Sequence, residues 1–388
     1  MELLFLSHCV PNPPDKGEKI RAFHELVHLA GKHQVHLVCF ARTAADVTAA
    51  GEIGKHCASV YVETIPRFRL ASAAVRFGLG ACLSTSFFGS RRMAAHIREL
   101  TSRVRLDACL AYCSSMGQYA PAGVPLVMDF VDVDSEKWFQ YAALRQPAFA
   151  YRMEAERLRR VEIGLGEQAR RSLFATQAEA SLFQSFAPAS TTGCAENGVD
   201  GAYFDPARVA EKAELAGRRF VAYIGVMDYY PNSSAATWFA KEVFPEVRRR
   251  DSSIEFFIVG RNPSKSLLRM AGEGITVTGS VDDVRPYLAS AQAVVVPLRI
   301  ARGIQNKVIE ALAMGKQVIA SAEVCKTFGA EAPYGIVPCR TSEEFVNAVL
   351  RCFTRPARFE AEIRQAALRR FSWRTNMEIV AAELEAGS

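Results

Sequence analysis

The chain has 388 residues, 49% of them hydrophobic and 23% charged, with a formal net charge of +6. That is too long for one compact core and suits two domains, and the composition is that of a soluble globular protein. No uninterrupted apolar run approaches the ~20 residues of a membrane span, and Met1-Glu2-Leu3-Leu4-Phe5-Leu6 is acidic and too short for a secretory signal. Ten cysteines are scattered without a C-x-x-C pair, and Cys109 and Cys113 lack histidine partners at metal spacing. Reduced, mostly buried thiols of a cytoplasmic protein are expected, and no zinc site.

In chain order, Leu3–Leu6 reads as a strand, followed by a Pro/Gly loop from Val10 to Gly17, a helix over Arg21–Ala30 and a strand over Val35–Phe40. Ala58–Val62, Ala108–Ala111 and Pro125–Asp129 read as further strands, and Arg152–Leu182 as one long charged helix. Between residues 64 and 105 stand Arg67, Arg69, Arg76, Arg91, Arg92, Arg98, Arg103 and Arg105 against a single acid, Glu99. This block is either an anion-facing surface or a solvated helical face; arginine without lysine favours phosphate contact. Residues 190–216, rich in Thr, Gly, Asn and Pro, read as a hinge.

A second set of units begins near residue 219. Arg219–Gly225 and Ile254–Gly260 are strands ending in glycine, and Ser234–Val247 is an amphipathic helix. Ile275–Thr278 is a short strand, Val281–Ser290 a helix with Asp282 as N-cap, and Ala293–Leu298 and Gln317–Ala320 are strands. Alternation of this kind predicts parallel sheets with helices on both faces, hence two doubly wound α/β domains with a cleft between them. Ligands in such sheets bind at the carboxyl ends of strands, near topological switch points.

Residues 301–315 carry the most chemistry. A helix start there holds Gly303, Gln305, Asn306 and Lys307, with Glu310 one turn on. Unpaired N–H groups and the lysine charge suit a diphosphate, and the carboxylate suits a ribose diol. The alternative is an ordinary strand–turn–helix with a solvated Lys–Glu pair. Arg261, at a strand end, reads as a base or phosphate contact or as a surface salt-bridge partner. Lys16 and Gly17 end the first loop, Lys19 and Arg21 follow it, and His8 ends the first strand. Asp132 and Asp134 form a D-x-D triplet after a strand; they read as acceptor contacts or a general base, or as a helix cap in the case of Asp134. Asp228 suits a sugar hydroxyl or a helix cap. No G-x-G-x-x-G follows a strand, which argues against a dehydrogenase.

These residues resemble retaining glycosyltransferases of the GT-B fold, family 4. The likeness lies in Asn197-Gly198-Val199-Asp200, in Gly303 to Glu310 continuing through Ala311-Leu312-Ala313-Met314-Gly315, and in Phe371-Ser372-Trp373. A narrower likeness, to the sugar transferases of the PEP-CTERM/exosortase system, rests on residues 225–232, 277–288, 297–307 and 131–135. The resemblance implies two Rossmann-like domains facing across a cleft, an acceptor-binding one (1–195, with 372–388 packing back onto it) and a nucleotide-sugar-binding one (196–371). It implies donor contacts from Gly225, Asp228, Asn232, Gly260, Arg261, Thr278, Arg302, Gly303, Ile304, Gln305, Asn306, Lys307 and Glu310. Lys307, Asp132 and His8 are the catalytic candidates, and Lys16, Gly17, Arg21, Asp132 and Asp134 the acceptor-side ones. Arg302 stands where the broad family has the first of two glutamates; the subgroup shares the arginine.

The implied reaction is transfer of a sugar from a nucleotide donor, with retention and by front-face attack, to an exopolysaccharide precursor linked to lipid. No metal and no cofactor are expected. The partners are the nucleotide sugar, the lipid-linked saccharide and an anionic membrane surface, and not nucleic acid; the place is the cytoplasm, peripheral on the inner face of the inner membrane. The alternatives are a nucleotide-sugar 2-epimerase of the same fold and a non-catalytic sugar-nucleotide-binding component.

Overall fold

The computed structural model describes residues 1–386 apart from 16, 145, 330–331 and 355–358. The chain forms two compact units, one of Met1–Asn197 with Trp373–Ser388 and one of Gly198–Ser372. Lys16, expected on the acceptor side, lies outside the described residues.

The first unit is built on seven parallel strands: β1 (Glu2–Ser7), β2 (Gln34–Ala41), β3 (Ser59–Thr64), β4 (Ala108–Tyr112), β5 (Leu126–Val131), β6 (Arg171–Phe174) and β7 (Thr192–Cys194). Their order is 3-2-1-4-5-6-7. Successive side chains of a strand point to opposite faces. Leu3, Phe5, Leu37 and Leu110 accordingly join one core cluster and Leu4, Leu6, Val38 and Cys109 another. A sheet covered on both faces needs continuous apolar runs; β1 and β4 have them, and within their buried stretches β2 and β5 are interrupted only by His36 and Asp129. The order reverses between β1 and β4, so their carboxyl ends flank the switch point of this sheet.

The long helix expected over 152–182 is instead two helices, Ala148–Gln168 and Gln177–Phe186, separated by β6. Four residues with two large apolar ones fit either period. Pairing of Val127 with Arg171 and Met128 with Ser172 decides for strand, and buries Ser172, Leu173 and Phe174 completely. The C-terminal helix, Trp373–Glu385, packs in this unit against the helix Gly17–Ala30. Trp373 stacks on His24 at 4.3 Å, and Glu383 accepts from Arg171 Nε at 2.8 Å.

Arg21, expected to reach a ligand from the first loop, is 0% exposed on the helix Gly17–Ala30. Its Nε donates to Asp129 Oδ2 at 2.5 Å, and its Nη1 to Ala195 O and Asn197 Oδ1 at 2.7 and 3.0 Å. Lys19 is likewise buried and donates to Asp46 at 2.8 Å. The correction has a simple cause: each cation finds its own carboxylate within the protein, Lys19 at Asp46 and Arg21 at Asp129. Glu25, one turn from Arg21, is also fully buried. Burial, with Asp129 beside it, pushes its carboxyl well above the usual range, and Arg21 Nε, 3.3 Å away, opposes the shift.

The second unit has six parallel strands: β8 (Phe220–Ile224), β9 (Glu255–Val259), β10 (Ile275–Gly279), β11 (Ala293–Val296), β12 (Val318–Ser321) and β13 (Ile336–Cys339), in the order 10-9-8-11-12-13. Its switch point lies between β8 and β11. The helix expected over 234–247 begins at Tyr230 and passes through a π-turn, Phe239–Val243, into Phe244–Arg250. Pro245 has no N–H to give the preceding turn, and the wider turn absorbs the break. The expected N-cap Asp282 is not used: the helix is Arg285–Ser290, and Asp283 accepts from the Arg285 N–H at 2.8 Å.

Removing one partner of a buried ion pair strands the other. Arg21→Ala is expected to destabilise the protein by about 3–5 kcal/mol, through the uncompensated Asp129. Urea unfolding of parent and variant measures the difference.

Candidate functional site

In the second unit the carboxyl ends of β8 and β9 come so close that only glycine fits. Gly260 has φ +148°, and a Cβ there would lie 1.8 Å from Gly225 O. The two loops are also tied by Gly225 N–H donating to Val259 O at 3.1 Å and Met227 N–H to Arg261 O at 2.9 Å. A Cβ on Gly225 would meet Asn232 Nδ2 at 2.9 Å and Lys307 Nζ at 3.0 Å. Gly225 thus leaves the space in which the lysine ends.

Lys307 reaches this place from the helix Asn306–Ala313, which follows β11 after a loop. Its Nζ donates to Asn232 Oδ1 at 2.6 Å and to Tyr223 Oη at 3.3 Å, and lies 4.7 Å above the Tyr223 ring. Asn232 is oriented in turn by donating to Val226 O at 3.0 Å and accepting from Tyr223 at 3.1 Å. Burial lowers Lys307 to about 7, with Glu310 opposing. The same burial raises Glu310 to about 7, with Lys307 opposing. Among the described residues no ion pair within 4.0 Å joins them, so they are not the solvated pair that spacing also allowed. Gln305 stands at the N-cap without a side-chain bond to the first turn.

The structure places the other residues of this list as follows. Gly303 is buried with φ +57°, and Ile304 puts its side chain into the core, leaving backbone for any contact. Arg302 is partly buried, and its carbonyl accepts from Gln305 Nε2 at 2.9 Å. Asp228 is exposed and accepts from Asn262 Nδ2 at 2.8 Å; Tyr229, not Asp228, occupies the helix N-cap. Arg261 is partly buried beside Gly260, and the Thr278 hydroxyl donates to Gly279 O at 2.9 Å. Sequence reasoning missed Tyr223 and Asn262. The signal for Tyr223 is a tyrosine inside a strand with every residue buried, whose hydroxyl must find a partner.

The first unit gathers a second group at its own switch point. His8 stacks on Tyr112 at 5.6 Å, and its Nε2 lies 3.4 Å from Glu18 Oε2. Gly17 opens the helix just before Glu18. Cys113 and Val131, directly after β4 and ending β5, have φ of +71° and +66°. Such a conformation is costly for a β-branched valine and is held here by Asp129, which accepts from Val131 N–H at 3.0 Å. The bend brings Asp132 and Asp134 off the strand end. Asp134 accepts from Ser114 at 3.2 Å and Lys137 at 3.1 Å. Asp132 Oδ1 is buried without a hydrogen-bond partner. Burial pushes Asp132 up to about 7; Lys137 opposes, and Glu179 and Asp134 add.

The fold of both units recurs in solved glycosyltransferase structures. Sucrose-phosphate synthase from Thermosynechococcus elongatus superposes with a TM-score of 0.74 at 16% identity, over 100% of each chain. HepE of Anabaena in complex with UDP-glucose gives 0.68 at 17%, again over 100% of each chain. The UDP-forming α,α-trehalose-phosphate synthase from Burkholderia vietnamiensis gives 0.66 at 12%, also over 100% of each. No curated protein sequence matches the chain. Two Rossmann-like parallel-sheet units make this a GT-B fold, and residues 218–355 match the family described as glycosyl transferases group 1.

Proposed function

We propose that the protein is a glycosyltransferase that takes a sugar from a nucleotide-sugar donor bound by its second unit. The observation that carries this reading is the Lys307 ammonium, seated beneath Gly225 at the β8/β11 switch point beside an uncapped helix start. A diphosphate there meets a cation, helix N–H groups and Arg261. The family match over 218–355 supports a transferase and does not favour the epimerase.

In the proposed reaction the acceptor oxygen bonds to the anomeric carbon as that carbon's bond to the diphosphate breaks. The acceptor proton passes to the departing phosphate oxygen, and configuration is retained. Charge growing on the leaving group is met by Lys307, whose ammonium is placed in advance by Asn232 and Tyr223. Glu310 accepts from the ribose hydroxyls. The first unit takes the acceptor, a lipid-linked exopolysaccharide precursor as in the exosortase-associated transferases. Asp132, poised near neutrality, and His8 meet its hydroxyls. The protein works at the inner membrane surface as a peripheral enzyme. Among the described residues no helix is long and apolar enough to cross a membrane.

Three outcomes test this. Glu310→Ala is expected to lose about 1.5–3 kcal/mol of UDP-glucose binding by calorimetry, with the fold kept; unchanged affinity refutes the ribose contact. Because Lys307 and Glu310 both lie near 7, and binding takes the ammonium and the carboxylate, donor affinity should peak near pH 7 and fall toward pH 9, by up to about tenfold per unit. Calorimetry in two buffers should show proton uptake on binding above pH 7, and Lys307→Met should abolish it. Transfer should also persist in excess EDTA, since protein cations neutralise the diphosphate. Activity lost on chelation and restored by magnesium or manganese would reject the metal-free reading.

A further inference from the structure

The helix Arg69–Gly78 of the first unit turns its apolar side outward. Phe68, Leu70, Val75 and Leu79 are 71%, 61%, 65% and 83% exposed. At 100° per residue, Leu70, Ala74, Gly78, Ala71, Val75 and Leu79 fall in succession on one half of the helix, with no charge among them. The opposite half is held by the protein. Ala73 is buried, and the Arg157 guanidinium lies 4.6 Å over the Phe77 ring while donating to Ala81 O at 3.0 Å. The apolar half is therefore presented by a fixed support.

Beyond the Leu79 edge of that half, round the helix, stand Ser72, Arg76 and Arg69. These line a groove of about 740 Å³ together with Arg91 and Arg92, at the carboxyl end of β3. Glu63 is the one carboxylate in the groove, and it is engaged by the Ser90 hydroxyl at 2.7 Å and Arg69 at 3.4 Å. Arg91 and Arg92 are exposed and form no ion pair among the described residues. Ser90 caps the helix Arg91–Arg103, accepting from the Arg92 and Met93 N–H groups at 3.2 and 3.3 Å. With Arg69 paired to Glu63, three further arginines, Arg76, Arg91 and Arg92, stand without an opposing acid in the groove, immediately beside an uncovered apolar half-helix.

We infer that the segment Phe68–Leu79 is an interfacial anchor that inserts into an anionic phospholipid bilayer. Phe68, Leu70, Val75 and Leu79 enter the acyl boundary, and the arginine groove takes the headgroup phosphates. An apolar half-helix flanked by arginine is what an anionic bilayer surface complements, apolar chains below and phosphate above. The inference rests on the peripheral-membrane reading but goes beyond it, because charge attraction alone gives Leu70, Val75 and Leu79 no role.

Co-sedimentation of the full chain with vesicles of phosphatidylcholine, alone or mixed equally with phosphatidylglycerol, tests it. The parent should bind the anionic vesicles and keep part of that binding in high salt. The triple variant Leu70→Ser, Val75→Ser, Leu79→Ser should bind about tenfold or more weakly and lose the salt-resistant part. Arg91→Glu with Arg92→Glu should weaken binding at low salt. Leu70→Trp should shift its emission to shorter wavelength on anionic vesicles. All replaced residues are exposed, and an unchanged melting temperature verifies the fold. A triple variant that binds like the parent overturns insertion and leaves charge-driven adsorption standing. A parent that binds neither vesicle overturns both readings. A parent that self-associates in ultracentrifugation, where the triple variant is monomeric, overturns the lipid in favour of a second copy of this chain.

Discussion

The second unit is arranged around one constraint: a partly buried ammonium held by neutral hydrogen-bond partners. A buried lysine is costly unless partners hold it. Here the Asn232 amide and the Tyr223 hydroxyl do so, and each is fixed by a further bond. The space for Nζ exists only because position 225 is glycine, and the turn at 225 exists only because position 260 is glycine. Strand ends, helix start and side-chain network therefore form one mechanical unit. The partners are neutral, so the positive charge is not cancelled in place and remains available to an anion.

The first unit solves a related problem with the opposite charge balance. Its buried cation, Arg21, is neutralised by Asp129 and used structurally, tying the last residues before the unit boundary through Ala195 and Asn197. Asp129 also holds Val131 in its left-handed conformation. That bend carries the chain to Asp132, whose carboxyl lacks a hydrogen-bond partner at Oδ1. A structural ion pair thus shapes the loop that presents an unsatisfied carboxyl. Both switch points carry a titratable side chain moved to about 7, a lysine downward in one unit and an aspartate upward in the other. Burial is the leading cause in each case.

Much of the architecture was written in local pattern. Continuous apolar runs such as Leu3–Leu6 and Val35–Phe40 have no stable place except inside a sheet covered on both faces. Their alternation with amphipathic helices dictates parallel pairing. Glycines at the ends of such runs, 225 and 260, mark places where backbones approach. The residue types around Lys307 allow an anion-binding helix start by composition, and allow an ordinary strand–turn–helix equally. Three short strands, β6, β7 and β13, were not legible in this way, whereas the four-residue β11 and β12 were read from their Val and Ile residues. Over that length a helical and an extended period cannot be told apart, and only pairing with an existing edge decides.

Tertiary structure alone decided which charges are available. Sequence spacing treats Lys19, Arg21 and Lys307 alike, as basic residues at helix starts that follow a glycine-bearing loop. The fold buries the first two against Asp46 and Asp129 and gives the third only neutral partners. Those carboxylates are 27 and 108 residues away along the chain, beyond any local pattern. The outward turn of Leu70, Val75 and Leu79 was hidden for the same reason, since an amphipathic helix does not state which half faces the core. Sequence fixes what each segment is able to bury, because that depends on neighbours one turn or one pleat away. Which charges are spent and which apolar faces stay open depends on groups brought close only by folding.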